Sequence, residues 1–140
     1  MITAVDTNVI VALWDPDERL SRAAQTALDD AFARGGLIVA APVYAELVAA
    51  PGRVESFVDS FLGDTGILVE WDLDEAIWRL AGEAFSGYAK RRRKQRDQGP
   101  RRILADFLIG AHAVRRCDAL LTLDDRVYRS AFPNLALVAS

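Results

Sequence analysis

The sequence predicts an α/β fold in which parallel strands alternate with helices. Short apolar runs recur along the chain, and segments with a helical spacing of apolar residues separate them. This alternation is typical of a parallel sheet built from βα units. The first apolar run, Ile2 to Val5, ends in a carboxylate, Asp6. Because ligands bind off the carboxyl ends of the strands in open parallel sheets, Asp6 is a candidate site residue.

The composition describes one globular domain over residues 1–140. With 51% hydrophobic and 26% charged residues, the chain is neither disordered nor membrane-embedded in character. No apolar run approaches the roughly 20 residues of a membrane helix. One histidine and one cysteine exclude a typical zinc site and an internal disulfide. Because the N-terminus lacks the basic start and cleavage site of a signal peptide, we expect a cytoplasmic protein with no membrane partner.

Five strands and seven helices are predicted in alternation. The strands are Ile2 to Val5, Leu37 to Ala40, Ile67 to Trp71, Ala119 to Thr122 and Leu135 to Val138. The helical patterns cover residues 9–14, 17–34, 42–50, 54–62, 75–88, 103–114 and 126–132.

Local signals set the helix boundaries. Pro16 and Pro42 predict helix starts, because proline is tolerated in the first turn of a helix and not in its interior. Gly35-Gly36 ends the second helix. Asp72 and Glu75 form a D-x-x-E pattern, which predicts that Asp72 caps the long fifth helix.

Four acids fall where strand ends and helix starts are expected to meet: Asp6, Glu46, Asp106 and Asp124. Taken singly, Asp6, Glu46 and Asp124 are more simply explained as helix caps or exposed residues. Asp106 is harder to explain in this way, because large apolar residues flank it on both sides and an uncompensated charge there is costly. The four together favour a site, because a doubly wound sheet brings these segments to one edge.

Clustered carboxylates need a compensating charge. Two unit charges 4 Å apart repel by about 4 kcal/mol at an effective dielectric near 20. A divalent cation removes this repulsion, and oxygen ligands without histidine or cysteine select Mg²⁺, or Mn²⁺ as a substitute, over zinc. Such a site suits phosphodiester hydrolysis by a metal-activated water. Thr7, Asn8 and Thr122 would fix the rotamers of these carboxylates without binding the metal themselves.

The charges are distributed unevenly. Between residues 90 and 102 lie eight basic residues and one acid, whereas the rest of the chain has nine basic and 19 acidic residues. The basic residues are Lys90, Arg91, Arg92, Arg93, Lys94, Arg96, Arg101 and Arg102. This basic segment is either a solvated helix end or a contact surface for a polyanion such as RNA.

The motifs also carry a resemblance. Val5-Asp6-Thr7-Asn8-Val9, Ala45-Glu46-Leu47, the stretch Ala105 to Ala113 and Leu121-Thr122-Leu123-Asp124 resemble the successive motifs of PIN-domain nucleases. In order and spacing they resemble most the VapC-type toxins of bacterial toxin–antitoxin pairs. The resemblance covers essentially the whole chain; each motif is weak alone, and the four in order are fairly specific.

The resemblance implies a three-layer α/β/α sandwich with a five-stranded parallel sheet ordered 3-2-1-4-5. It implies a Mg²⁺-dependent endoribonuclease whose products carry a 5′-phosphate and a 3′-hydroxyl, a cognate antitoxin and usually a homodimer. Asp6, Glu46, Asp106 and Asp124 would be the catalytic, metal-binding acids. Asp125 is a rival for the last position, although the spacing Thr122-x-Asp124 favours Asp124.

Other interpretations stay open. One is a PIN fold that binds RNA or protein without cutting, although the intact set of four acids argues against it. A response-regulator-like receiver would need a lysine near its late strands, and none follows Lys94. A dinucleotide-binding domain would need a glycine-rich loop after the first strand, and no such loop follows Val5. We interpret His112 as a packing or satisfied polar residue, and most of the large aromatic residues as core rather than as an antitoxin groove.

Overall fold

The computed structural model describes residues 1–95 and 104–139, and parallel strands alternate with helices along them. The strands are β1 (Ile2–Val5), β2 (Gly36–Ala40), β3 (Leu68–Glu70), β4 (Ala119–Thr122) and β5 (Leu137–Ala139). The helices are α1 (Thr7–Leu13), α2 (Glu18–Arg34), α3 (Ala41–Ala49), α4 (Glu55–Thr65), α5 (Glu75–Gln95), α6 (Leu104–Arg116) and α7 (Arg126–Ala131).

The five strands form one parallel sheet in the order β3-β2-β1-β4-β5. Helices flank this sheet, as the resemblance implied, so the predicted fold class is confirmed. The central strand β1 pairs with β2 on one side and β4 on the other, with Val5 opposite Leu121. The strand order reverses at β1, so the carboxyl ends of β1 and β4 meet at the topological switch point of the sheet.

The apolar core lies between the central strands and the helices. Val5, Leu120 and Leu121 of the central strands are completely buried, and the helices add Ile10, Leu47, Ile77 and Phe107. Phe107 of α6 stacks on Phe85 of α5, with 4.6 Å between the ring centroids. Because α6 is packed along its length, Asp106 in its first turn has a fixed position relative to the sheet.

The glycine that ends α2 is required by a close approach. Gly35 has φ 149°, and a Cβ there would lie 1.8 Å from the carbonyl oxygen of Met1. A glycine therefore lets the end of α2 pass directly against the start of β1.

Two local predictions need correction. Asp74 and not Asp72 caps α5, because the Ile77 N–H donates to Asp74 Oδ1 at 3.1 Å and the Trp78 N–H to its carbonyl oxygen at 3.1 Å. The Asp74 side chain also binds Arg116, which fixes the start of α5 against the end of α6. The third strand is one residue shorter at each end than predicted, and the fifth strand begins two residues later and ends one residue later than predicted. No helix in residues 1–95 and 104–139 is long and apolar enough to cross a membrane.

Candidate active site

Asp6 lies where β1 turns directly into α1. Val5 is the last strand residue and Thr7 the first helical residue, so Asp6 takes the N-cap position with extended backbone angles. Its Oδ1 accepts a hydrogen bond from the Thr7 N–H at 2.8 Å. The side chain is nevertheless 6% exposed, far more buried than a cap requires. An acid was predicted here, and its depth indicates more than a capping role.

The second oxygen of Asp6 is held from the neighbouring strand and the helix beyond it. Thr122, at the end of β4, donates from Oγ1 to Asp6 Oδ2 at 2.8 Å. Tyr128 of α7 donates from its hydroxyl to the same oxygen at 3.0 Å. Parallel pairing of β1 with β4 places Thr122 beside Asp6, as the topology predicts.

Burial dominates the electrostatics of Asp6. Burial raises the pKa of Asp6, the bonds from Thr122, Tyr128 and Thr7 lower it, and the charge of Glu46 raises it again. The net direction is upward. The folded chain thus holds a carboxylate whose charge the protein itself does not fully compensate, which favours a nearby cation.

Glu46 reaches the same place through Thr7. The Thr7 hydroxyl donates to Glu46 Oε1 at 2.6 Å, while the Thr7 N–H binds Asp6. One residue therefore fixes two carboxylates at once. Glu46 is half-buried on α3, in accordance with its predicted position near the start of that helix.

Asp106 acts on the same region through its charge. Burial raises the pKa of Tyr128, and the negative charges of Asp6, Asp106 and Glu46 raise it further. Tyr128 therefore keeps its proton and serves as a hydrogen-bond donor. Since electrostatic interaction weakens with distance, Asp106 and Glu46 lie near enough to the Tyr128 hydroxyl for their charges to act on it.

The backbone of Asp124 contacts the site, whereas its carboxylate is paired with an arginine. The Asp124 N–H donates to Thr122 Oγ1 at 3.2 Å. Its carboxylate instead forms an ion pair with Arg126, at 3.2 Å from Nε to Oδ1 and 3.3 Å from Nη2 to Oδ2. Asp125 pairs with Arg129 at 2.7 Å. Both rivals for the fourth acid therefore have an arginine partner.

Asn8 completes the network from α1. Its Oδ1 accepts from the Leu123 N–H at 3.2 Å, and its Nδ2 lies 3.4 Å from Thr122 Oγ1. Asn8 thus holds the β4 to α7 turn in place. Its predicted role in fixing a carboxylate stays a prediction.

The described residues do not form a closed ligand cage. Across residues 1–95 and 104–139, no three acid, histidine or cysteine side chains are grouped closely enough to hold a metal ion. Asp6 and Glu46 share Thr7, and Asp106 acts on the same hydroxyl, but the carboxylate of Asp124 is turned to Arg126. The four-acid metal site stays a prediction.

The basic segment is described in part. Lys90, Arg91, Arg93 and Lys94 are exposed at the end of α5, and the guanidinium of Arg92 lies 5.9 Å from the ring centroid of Tyr88. Arg96, Arg101 and Arg102 lie outside the described residues.

Tyr128 was missed by the sequence analysis, whereas His112 is packed in the interior as predicted. Nothing in the sequence distinguishes Tyr128 from a tyrosine that only fills the core. The one indication was general: a buried tyrosine hydroxyl needs a hydrogen-bond partner. His112 is buried as predicted, but its Nε2 has no hydrogen-bond partner in the described part of the chain. Burial lowers the pKa of His112.

A known protein family matches nearly the whole chain. The family model for the PIN domain matches residues 3–133. The chain belongs to the PIN-domain family. No match was found among curated proteins.

Solved structures with the same fold include complexes from three bacteria. VapBC-1 from nontypeable Haemophilus influenzae is 18% identical, with a TM-score of 0.65 and coverage of 99% of this chain and 98% of that chain. VapBC2 from Rickettsia felis, bound to a DNA fragment from their promoter, is 19% identical, with a TM-score of 0.63 and coverage of 99% and 98%. FitAcB from Neisseria gonorrhoeae is 24% identical, with a TM-score of 0.58 and coverage of 98% and 96%. At these identities the likeness establishes that this PIN domain shares their fold.

Proposed function

We propose that this PIN domain is a Mg²⁺-dependent endoribonuclease and the toxin of a toxin–antitoxin pair. It cuts RNA phosphodiesters to leave a 5′-phosphate and a 3′-hydroxyl, and it acts in the cytoplasm. The buried carboxylate of Asp6 is the observation that carries the proposal. It lies at the switch point of the sheet, Thr7 links it to Glu46, and two donors hold its other oxygen.

The donor set fits a hard divalent cation. Asp6, Glu46 and Asp106 offer carboxylate oxygens. Burial, and to a smaller extent the charge of Glu46, raises the pKa of Asp6, and a bound cation would offset both effects. Asp124 would join them once its exposed ion pair with Arg126 opens, and such pairs are worth little in water. When bound, Mg²⁺ or Mn²⁺ would lower the pKa of a water and neutralise charge on the phosphate and the leaving oxygen.

The residues around the acids would do the positioning. Thr7 holds Asp6 and Glu46 in fixed rotamers relative to each other, and Thr122 holds the far oxygen of Asp6. Asn8 ties the turn that carries Asp124 to α1. A site whose ligands are already oriented loses less entropy when the cation and the RNA bind.

The exposed cations of the basic segment would hold the RNA backbone. Contacts to phosphates release counterions, so RNA affinity should fall steeply as salt increases. Replacing Arg91 and Arg93 by Gln should lower the slope of log affinity against log salt by roughly 1.4 if each makes one contact to single-stranded RNA. An unchanged slope would remove these side chains from the RNA interface.

Purified protein incubated with total bacterial RNA tests the activity. We expect cleavage with MgCl₂ or MnCl₂, none with EDTA, and fragments whose 5′-phosphates permit direct ligation. Asp6→Asn should abolish cleavage, while Asp30→Asn, the same change on the exposed face of α2, should not. Cleavage by Asp6→Asn at the wild-type rate would refute the assignment.

We also propose an antitoxin partner and a homodimer. The similar structures are toxin–antitoxin complexes, which supports the first. Exposed apolar side chains on the edge strand β3 and just after it support the second, with Leu68 66% and Trp71 60% exposed. Copurification with the product of the adjacent reading frame tests the antitoxin, and sedimentation equilibrium tests the dimer. A monomer at micromolar concentration would refute the latter.

A second candidate function is a PIN-fold module that binds RNA or protein without cutting. The ion pair between Asp124 and Arg126 favours it, because the arginine occupies the carboxylate that would otherwise be the fourth metal ligand. In that case wild-type protein would bind RNA with and without Mn²⁺ but cut nothing, and Asp6→Asn expression would have the same effect on growth as wild type.

A further inference from the structure

We infer that Tyr128 is a positioning residue of the active site: together with Thr122 it holds Oδ2 of Asp6, so that Asp6 offers Oδ1 to a bound cation. This inference rests on the proposed metal-dependent nuclease. It adds a residue from outside the four motifs, and it specifies which oxygen of Asp6 is the ligand.

The hydrogen bonds on the two oxygens of Asp6 are unequal. Oδ2 accepts from the Tyr128 hydroxyl at 3.0 Å and from Thr122 Oγ1 at 2.8 Å. Oδ1 accepts from the Thr7 N–H at 2.8 Å. An ionised carboxylate has about two acceptor directions on each oxygen. Both directions on Oδ2 are used, whereas Oδ1 keeps one for a cation.

Oδ1 is also the oxygen of Asp6 that Thr7 links to Glu46. The Thr7 N–H that binds it belongs to the residue whose hydroxyl binds Glu46. The two donors to Oδ2 come instead from β4 and α7. Donors thus occupy Oδ2 of Asp6, whereas Oδ1 is connected to Glu46 through Thr7. A cation shared by Asp6 and Glu46 would bind at Oδ1.

The hydroxyl, and not the ring, is the distinctive part of Tyr128. The residue is 2% exposed, and its ring packs in the core, which phenylalanine would fill equally well. A buried hydroxyl is costly unless it has a partner, and the partner here is Asp6. A core role alone would not require the hydroxyl.

Binding of MnCl₂ to the purified full chain tests the inference without relying on activity. Free Mn²⁺ is measured by electron paramagnetic resonance for wild type, Tyr128→Phe and Tyr44→Phe. Tyr44 is a matched control, because its hydroxyl also donates to an aspartate, Asp59, at 2.8 Å, but outside the proposed site. Changes to residues behind metal ligands typically cost 10- to 100-fold in affinity or activity. We expect Tyr128→Phe to weaken Mn²⁺ binding about 10-fold, because the carboxylate of Asp6 loses one of the two donors that hold its Oδ2 and can then turn away. Tyr44→Phe should bind as wild type does.

The kinetics should separate positioning from RNA binding. Tyr128→Phe should lower kcat for RNA cleavage about 10-fold with KM unchanged, while Tyr44→Phe should leave both unchanged. Should Tyr128→Phe not fold, Thr122→Val and Thr122→Ser carry the same test, since serine keeps the donor to Oδ2 and valine does not. We expect serine to restore Mn²⁺ affinity and valine to lose it.

Two results would overturn the inference in different ways. If wild type binds Mn²⁺ and cleaves RNA, but Tyr128→Phe does both equally well, Tyr128 has no positioning role and the nuclease proposal stands. If wild type neither binds Mn²⁺ nor cleaves RNA, the proposed function fails and the inference fails with it.

Discussion

Gly110→Ala tests how closely α6 is packed against Phe132, the residue that follows α7. Gly110 follows Asp106 by one helical turn, and a Cβ there would lie 2.3, 2.6 and 2.9 Å from Cε2, Cδ2 and Cζ of Phe132. Carbon atoms in contact prefer roughly 3.5–4.0 Å. The ring must therefore move by more than about 1 Å, although Phe132 is only 4% exposed and packs against the core.

The magnitude follows from two opposing effects. Overpacking of this kind costs about 1–3 kcal/mol, while replacing a helical glycine by alanine gains about 0.8–1 kcal/mol in helix propensity. Because three ring atoms lie under 3.0 Å from the added Cβ, the upper part of the overpacking range applies, about 2–3 kcal/mol. We therefore expect a net loss of about 1–2 kcal/mol in the free energy of unfolding. At roughly 3–4 °C per kcal/mol for a chain of this size, Tm should fall by about 3–8 °C.

Thermal and urea unfolding followed by circular dichroism measure this loss. Gly82→Ala is the matched control, because nothing lies within 4 Å of a Cβ at that position on α5. It should raise stability by about 0.5–1 kcal/mol. The Phe132→Leu background should reduce the cost of Gly110→Ala by removing the ring that the methyl group meets. An unchanged or higher Tm for Gly110→Ala would refute the packing argument.

Two further predictions concern ionisable groups. Burial lowers the pKa of His112, so the folded state favours the neutral ring, and the stability that depends on it is complete above the unfolded value near 6.5. It should fall as pH decreases below 6.5, and His112→Leu should flatten that part of a Tm-against-pH curve; an equally steep curve would exclude His112 as the cause. Arg126→Gln removes the ion pair on Asp124, whereas Arg129→Gln removes the one on Asp125. We expect the first to tighten Mn²⁺ binding in the resonance titration, and tightening by the second instead would identify Asp125 as the ligand.

The sheet was predictable because its signals are local and agree with one another. Each apolar run has the length of a strand, proline and glycine mark the helix ends, and a crossover helix between parallel strands leaves few alternatives for topology. The sheet order followed from the motifs Val5 to Val9 and Leu121 to Asp124, through their resemblance to PIN-domain nucleases. The predicted cap of α5 was wrong because two aspartates, Asp72 three residues and Asp74 one residue before the helix, are both good N-cap residues. Contact with Arg116, distant in sequence, accompanies the choice of Asp74.

The candidate site was predictable at the level of the backbone and less so at the level of side chains. Asp6 and Thr122 lie at the ends of paired strands, so parallel register alone brings them together. Tyr128 reaches Asp6 from α7, which begins four residues beyond the end of β4. No sequence pattern separates its hydroxyl from that of a tyrosine with a core role only. The rotamer of Asp124 depends on a competition between an arginine and a cation for the same oxygens. An exposed guanidinium partner gains little free energy in water, whereas a dication shared with Asp6 and Glu46 would offset the repulsion of several charges at once. The Asp124 and Arg126 pair is therefore compatible with a site that closes around its cation, since the weaker of two competing interactions is the one that yields.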